Sequence, residues 1–369
     1  MDNEEKMIVG ITLGDSNGIG PEIILKTLAD SEMLELCTPV IYGSGKVLSY
    51  HRKALDLPPI QYHVARHASE VRHGTINLIN VVDGDTKIDM GKPSKIAGDI
   101  SRQCLEAATR DLTRDDIDVL VTAPINKDNI QSELFKFNGH TDYLEAVAGG
   151  DNKALMVLCH EELRVALVTT HLPLARVPQA ITTEAIVEKL TAFDHSLKRD
   201  FGLDAPRIAV LALNPHAGEN GLLGNEEKDI IAPAIAQALE QHKVLCFGPY
   251  AADGFFGNKM YRRFDGVLAM YHDQGLAPFK TLAMDEGVNF TAGLPFVRTS
   301  PDHGTGYDIT GQNIASPVSF RHAIFTAIDI ARHRAAWDEA YANPLRKLYH
   351  DRGRDNVVLD LTKDDEDEK

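Results

Sequence analysis

Short apolar runs that keep recurring between amphipathic stretches are the feature that most restricts what this chain can become. Runs of four to seven residues dominated by Val, Ile and Leu stand at 7–13, 39–42, 76–82, 119–122, 154–158, 165–169, 208–213, 267–271 and 288–292. A strand without a polar face has to be covered on both sides, and the stretches between the runs supply the cover. Helices are expected at 21–29, 95–112, 183–198, 226–241 and 319–341. In the fourth, Ile230, Ile231, Ala234, Ile235, Ala238 and Leu239 return at three- and four-residue intervals and form one apolar stripe. The alternation predicts an α/β fold on a largely parallel sheet. The runs at 154–159 and 163–169 flank Glu161-Glu162 with no room for a crossover. They predict an antiparallel hairpin and, with it, a second sheet.

At 369 residues the chain has the length of two domains of about 150 residues each. Its 38 Lys and Arg face 54 Asp and Glu, a net charge of −16. Such a surface repels polyanions, so neither nucleic acid nor an anionic membrane is an expected partner. No run approaches the ~18 apolar residues of a membrane span, and an acidic start that leads straight into a strand lacks the signal-peptide pattern. A soluble, cytoplasmic protein is expected. Cys37, Cys104, Cys159 and Cys246 form no CxxC pair and sit mostly in apolar or helical runs, which suits reduced core thiols better than disulfides or metal ligands. The five consecutive acids at 364–368 predict a disordered tail.

Two glycine-rich turns offer phosphate motifs, and both fail. Around Gly43-Ser44-Gly45-Lys46-Val47 the first glycine of a P-loop is replaced by Val40 and its Ser or Thr by Val47, leaving a strand-to-helix turn. Gly14-Asp15-Ser16-Asn17-Gly18-Ile19-Gly20-Pro21-Glu22 does not keep the GxGxxG spacing. With Pro21 in the first turn of a helix, its backbone N–H groups either hold an anion or close a plain turn.

The histidines are more informative. His171 follows the run at 165–169, His216 the run at 208–213 and His272 the run at 267–271, each with Gly or Pro close behind, while His140 lies in Asn138-Gly139-His140-Thr141-Asp142. Ligands of open α/β sheets collect at the carboxyl ends of strands. Three neutral imidazoles there leave open positions on a divalent metal, an arrangement suited to polarising a substrate oxygen. The competing reading is that these are separate, hydrogen-bonded structural residues among fifteen histidines. Downstream, Lys280, Asn289, Arg298 and Asp302-His303-Gly304-Thr305-Gly306 form a polar set. Phe279 and Leu294-Pro295-Phe296-Val297 make its surroundings apolar, which favours a buried anion pocket over plain surface solvation.

Taken together, Gly18-Ile19-Gly20-Pro21-Glu22, Thr122-Ala123-Pro124-Ile125-Asn126-Lys127, Gly139-His140-Thr141, Thr169-Thr170-His171-Leu172-Pro173-Leu174, Asn214-Pro215-His216-Ala217-Gly218-Glu219, Tyr271-His272-Asp273-Gln274-Gly275-Leu276 and Gly293-Leu294-Pro295-Phe296-Val297-Arg298-Thr299-Ser300 resemble, in order, the motifs of the 4-hydroxythreonine-4-phosphate dehydrogenases of pyridoxal phosphate biosynthesis. The resemblance implies two α/β/α domains with a cleft between them, similar to isocitrate and isopropylmalate dehydrogenases. The first, cofactor-side domain would comprise 1–126 and 303–350, the second 127–302, and the tail 351–369. It implies a homodimer with the active site at the subunit interface. His171, His216 and His272 would then be ligands of a divalent metal (zinc, magnesium or cobalt), one of them crossing the interface. His140, Thr141, Lys280, Asn289 and Arg298 would contact the small phosphorylated substrate. Asp302, Gly304, Thr305 and Asp308 would lie against NAD or NADP, and Lys280 and Asp253 are the candidates for proton transfer.

The reaction implied is oxidation of 4-phosphooxy-L-threonine to a β-keto acid that decarboxylates. Departures at Ser16-Asn17, at 248–254 and around Pro301 and Gly306 leave threonate or erythronate 4-phosphate as alternative substrates. A zinc hydrolase using the same three histidines, and an inert binder of phosphate ligands, are the readings from other classes.

Overall fold

The computed structural model describes residues 6–82 and 87–343, so the acidic segment at 364–368 lies outside the described residues. Twelve strands form one sheet: β1 (Ile8–Thr12), β2 (Thr38–Gly43), β3 (Tyr62–Ala65), β4 (Ile76–Asn80), β5 (Val119–Thr122), β6 (Leu155–His160), β7 (Leu163–Leu167), β8 (Arg207–Leu211), β9 (Leu245–Tyr250), β10 (Gly266–Ala269), β11 (Val288–Ala292) and β12 (Val297–Pro301), in the order β3-β4-β2-β1-β5-β12-β11-β6-β7-β10-β8-β9. The α-helices are α1 (Gly20–Leu28), α2 (Met33–Leu36), α3 (Gly45–Ala54), α4 (Lys95–Leu112), α5 (His140–Ala148), α6 (Val177–Ala180), α7 (Thr183–Arg199), α8 (Ala232–His242), α9 (Ala252–Gly257), α10 (His272–Ala283) and α11 (Val318–Ala342).

The α/β reading holds, and the hairpin is present as antiparallel β6 and β7. The expected second sheet is not: β11 pairs antiparallel with both β12 and β6, and so joins the two halves into one sheet. The consequence is a reversal of polarity. Strands β1 to β5 and β12 are mutually parallel, whereas β7, β10, β8 and β9 run the opposite way.

Both faces are covered, as the apolar runs require. Along β7, Leu163, Val165 and Leu167 enter the core shared with α10, while Ala166 and, just past the strand, Val168 enter the larger core on the other face. This is the period-two alternation of a strand between two layers. All four cysteines are free and buried. Burial pushes the thiols of Cys37, Cys104 and Cys159 up to about 12, so they are inert, as expected of core residues.

Close packing extends to the loops behind the sheet centre. Gly98 in α4 lies against the backbone of Asn129, where an added Cβ would come within 2.1 Å of its carbonyl oxygen. The side chain of Asn129 in turn donates to the fully buried Asp15 at 2.7 Å, as does the hydroxyl of Tyr307 at 2.7 Å. The turn at 14–20 is buried, and its Ile19 N–H is taken by the carbonyl of Thr305 at 2.9 Å. Of the two readings of that turn, the structure selects the plain buried turn.

Candidate active site

A cavity of about 300 Å³ opens at the centre of the sheet, where β5, β12, β11 and β6 lie side by side. Helix α10 supplies one wall. His272, Leu276 and Lys280 are four residues apart, which puts them on one helix face, and all three line the cavity. The sequence did not announce this helix because Gly275 and Pro278 interrupt the pattern. Burial of Leu276, Phe279 and Ala283 overrides that local cost.

Helix α5 supplies the opposite wall. It starts at Gly139 with φ at 154°, and no side chain caps it, so its first turn presents His140 and Thr141 together with backbone donors. Asn289 of β11 and Arg298 of β12 come from the sheet itself.

The end of the cavity around Arg298 is cationic. Arg298 is 2% exposed, and among the described residues its guanidinium donates only to the hydroxyls of Thr122 at 3.0 Å and Thr291 at 3.1 Å. Burial without a counter-anion pulls it down to about 9, and it remains a cation at neutral pH. Burial, then the charges of Arg298 and Lys127, hold His140 well below its ordinary value, and its Nε2 is buried with no partner among the described residues. Lys127 also lines the cavity. It ends the Thr122–Lys127 motif, so the signal for it was present in the sequence although it was not singled out as a site residue.

His171 and His272 share this cavity, with ring centroids 6.0 Å apart. Burial, Lys127 and His272 hold His171 below its ordinary value, which keeps the imidazole neutral, as a metal ligand must be. The Nδ1 of His272 lies 2.7 Å from the Asp273 carboxylate, an orientation that leaves Nε2 for a metal. Within one subunit the third histidine lies apart from them. His216 lines a neighbouring cavity of about 520 Å³ with Asp253, and the two cavities meet at the start of α10, where His272 faces one and Asp273 the other. Among the described residues no three His, Cys, Asp or Glu side chains cluster closely enough to hold a metal ion.

The displacement of His216 has a local cause. His216, Ala217, Glu219 and Asn220 all have φ between 42° and 56°, and Gly218 has φ at 78°. This left-handed run is costly for L-residues. Glu227, in a π turn at Glu227–Ile231, braces it by accepting from the backbone N–H groups of Leu213 at 2.8 Å and Asn214 at 2.7 Å. Gly218 fits against the same carboxylate, where a Cβ would come within 2.6 Å of Oε2.

The two candidates for proton transfer are likewise separated, Lys280 in the first cavity and Asp253 in the second. Lys280 is tied to Asp302, to its carbonyl at 2.9 Å and its Oδ1 at 3.3 Å. Of the four residues expected against a nicotinamide cofactor, Asp302 and Gly304 line the first cavity. Nothing stands where a Cβ of Gly304 would project, which leaves room for a ligand to pass. Thr305 packs behind on Gly18, and Asp308 is exposed, its carbonyl accepting from Gln312. His303, also on the wall, carries a buried Nε2 without a partner among the described residues.

Comparison with known proteins places the chain in one family. The family model described as pyridoxal phosphate biosynthetic protein PdxA matches residues 35–327. A protein of Bacteroides thetaiotaomicron named 4-hydroxythreonine-4-phosphate dehydrogenase is 54% identical over 99% of this chain and 100% of its own length. A provisionally named D-threonate 4-phosphate dehydrogenase of Oceanobacillus iheyensis is 37% identical over 89% of this chain and 98% of its own. The crystal structure of 4-hydroxythreonine-4-phosphate dehydrogenase from Klebsiella pneumoniae superposes with a TM-score of 0.76 at 35% identity, covering 89% of this chain and 99% of that one.

Proposed function

The chain belongs to the PdxA family of pyridoxal phosphate biosynthetic proteins, and from that premise we propose that it is a dehydrogenase that oxidises 4-phosphooxy-L-threonine with NAD or NADP. The product, 2-amino-3-oxo-4-phosphooxybutanoate, loses CO₂ to give 3-amino-2-oxopropyl phosphate. The observation that carries the reading is the buried Arg298, with no carboxylate beside it among the described residues, next to the Nε2 of His140, which has no partner among them. In a chain of net charge −16 such a pole calls for a small anion.

Each residue then has a task. Arg298, His140 and the first turn of α5 bind the anionic end of the substrate, with Lys127 at the mouth. Lys280, held by Asp302, is placed to move the proton of the reacting hydroxyl. His171 and His272 would hold a divalent metal, which when bound supplies a Lewis acid for the substrate oxygen. The nicotinamide cofactor, when bound beside Gly304, supplies the hydride acceptor. Two histidines make an incomplete ligand set, and His216 with Asp253 forms an exposed group in the adjoining cavity. That division supports a homodimer in which His216 of one subunit completes the site of the other. Two domains, 1–126 with 303–350 and 127–302, would be the walls of one cleft, with the sheet running through both. Among the described residues no helix is long and apolar enough to cross a membrane, and we infer a cytoplasmic enzyme.

The test is NADH formation from purified protein, NAD and 4-phosphooxy-L-threonine, with chelator and after restoring zinc, magnesium or cobalt. Turnover that the chelator abolishes and metal restores is expected. No turnover under any of these conditions overturns the reading.

A further inference from the structure

The anion pole of the cavity has a counterpart that binding a phosphate or a carboxylate does not explain. Asp302 projects from the end of β12, and its side chain is only 10% exposed. Lys280 satisfies Oδ1, but Oδ2 is buried with no donor among the described residues. Its backbone is fixed: the N–H of Asp302 donates to the carbonyl of Gly287 and to the hydroxyl of Ser319, which itself donates to Gly287 at 2.7 Å. On the neighbouring strand Asn289 lines the same cavity, and its Oδ1 is likewise buried and unpartnered. Two acceptor oxygens without donors, one of them on a carboxylate, are expensive to bury. Both wait for a ligand that brings N–H groups. The terminal torsions of Asp and Asn are broad, so a small rotation turns either oxygen toward the cavity at little cost.

We propose that Asp302, assisted by Asn289, is the specificity determinant that receives the substrate's ammonium group and so selects a 2-amino acid over the corresponding 2-hydroxy acid. The inference rests on the functional reading above and deepens it, since the resemblance left amino and hydroxy four-carbon acids both open. A phosphate and a carboxylate are common to both substrate types and are met at the cationic pole. Only the amine carries a positive charge, and only a carboxylate rewards that charge. A hydroxyl can donate one neutral hydrogen bond, which is weaker than a charge-assisted one by a margin that reads as tenfold or more, roughly, in kcat/KM.

The experiment compares 4-phosphooxy-L-threonine with threonate 4-phosphate in the full-length protein and in Asp302→Asn, reading kcat/KM with NAD. In parallel it reads the shift in Tm that each ligand produces without NAD. The unsubstituted protein should favour the amine by about tenfold or more; Asp302→Asn loosens Lys280 and lowers both rates, but it should erase the preference because the amine loses about tenfold more than the hydroxy acid does. If Asp302 serves only to hold Lys280, both substrates fall together and the ratio stays, which overturns the proposal. So does an unsubstituted protein that favours the hydroxy acid. If neither compound is turned over, the Tm arm decides. An amine preference that Asp302→Asn abolishes keeps the proposal while the dehydrogenase reading fails, and equal or absent shifts overturn both. Asp302→Ser, smaller and equally uncharged, repeats the comparison should the first variant fold poorly.

Discussion

Replacing Arg298 with Met separates what this residue does for the ligand from what it does for the fold. Holding the guanidinium buried without a counter-anion, at about 9, corresponds to about 5 kcal/mol of disfavoured charge. Its hydrogen bonds to Thr122 and Thr291 offset part of that, at about 1.5 kcal/mol or more each, and their loss leaves two buried hydroxyls to find other partners. Replacing a buried charge by an apolar side chain of similar length is therefore close to neutral for the free protein, and Tm should move by less than roughly 3 °C. The ligand loses a charge-assisted fork of about 3 kcal/mol, which is about 100-fold in KM for the phosphorylated substrate. The assay is a pair of measurements on Arg298→Met: thermal unfolding of the free protein, and KM together with the Tm shift produced by the substrate. A variant that unfolds many degrees lower yet keeps its KM within threefold would show that Arg298 is a structural post and that the anion binds elsewhere.

Three further outcomes follow from the same geometry. Asp273→Asn loosens the orientation of His272 and should lower zinc or cobalt affinity by about 10- to 100-fold, read by metal content after dialysis, with the fold intact. His140 stays neutral in the folded protein well below pH 6.5, whereas an unfolded histidine takes up a proton near there, so the unfolded state binds more protons and stability falls as pH drops through 6.5. Denaturation at pH 7.5 and 5.5 should show His140→Asn sparing about 1.4 kcal/mol of that loss, and an equal pH dependence in both proteins would remove the argument. Gly98→Ala forces a Cβ onto the Asn129 carbonyl and should cost about 2 kcal/mol or more in chemical denaturation, because backbone on both sides cannot yield.

How far the sequence reaches depends on what each residue's neighbours are. The nine apolar runs became strands because a run with no polar face has few other places to go. β12 was not foreseen, since Val-Arg-Thr-Ser-Pro carries no such mark and is central only because Arg298 and Ser300 find partners on neighbouring strands and Thr299 donates to the Ala323 carbonyl of α11. β11 was foreseen as a strand but not as the antiparallel seam, because pairing partners are set by contacts across more than a hundred residues. In the site, the contexts of His171 and His272 were legible because they follow adjacent parallel strands, β7 and β10. The strand before His216, β8, also neighbours β10, so the same rule predicted that it would converge. Within one chain that convergence is not seen, because His216 sits in a run of dihedrals that no spacing encodes. The pairing of Lys280 with Asp302 was hidden for a similar reason, being a contact between a helix and a strand end.

The run from His216 to Asn220 has a further implication for how this chain can vary. At each of these positions the mirror-image amino acid would sit more comfortably than the one present, and a β-branched side chain would sit worst of all. Only one of the five is glycine. The sequence space open to the loop is therefore narrow for reasons of handedness alone, before any chemistry is asked of it. A histidine kept in that company is one whose outward placement the rest of the chain actively maintains, through a carboxylate eleven residues further along at Glu227.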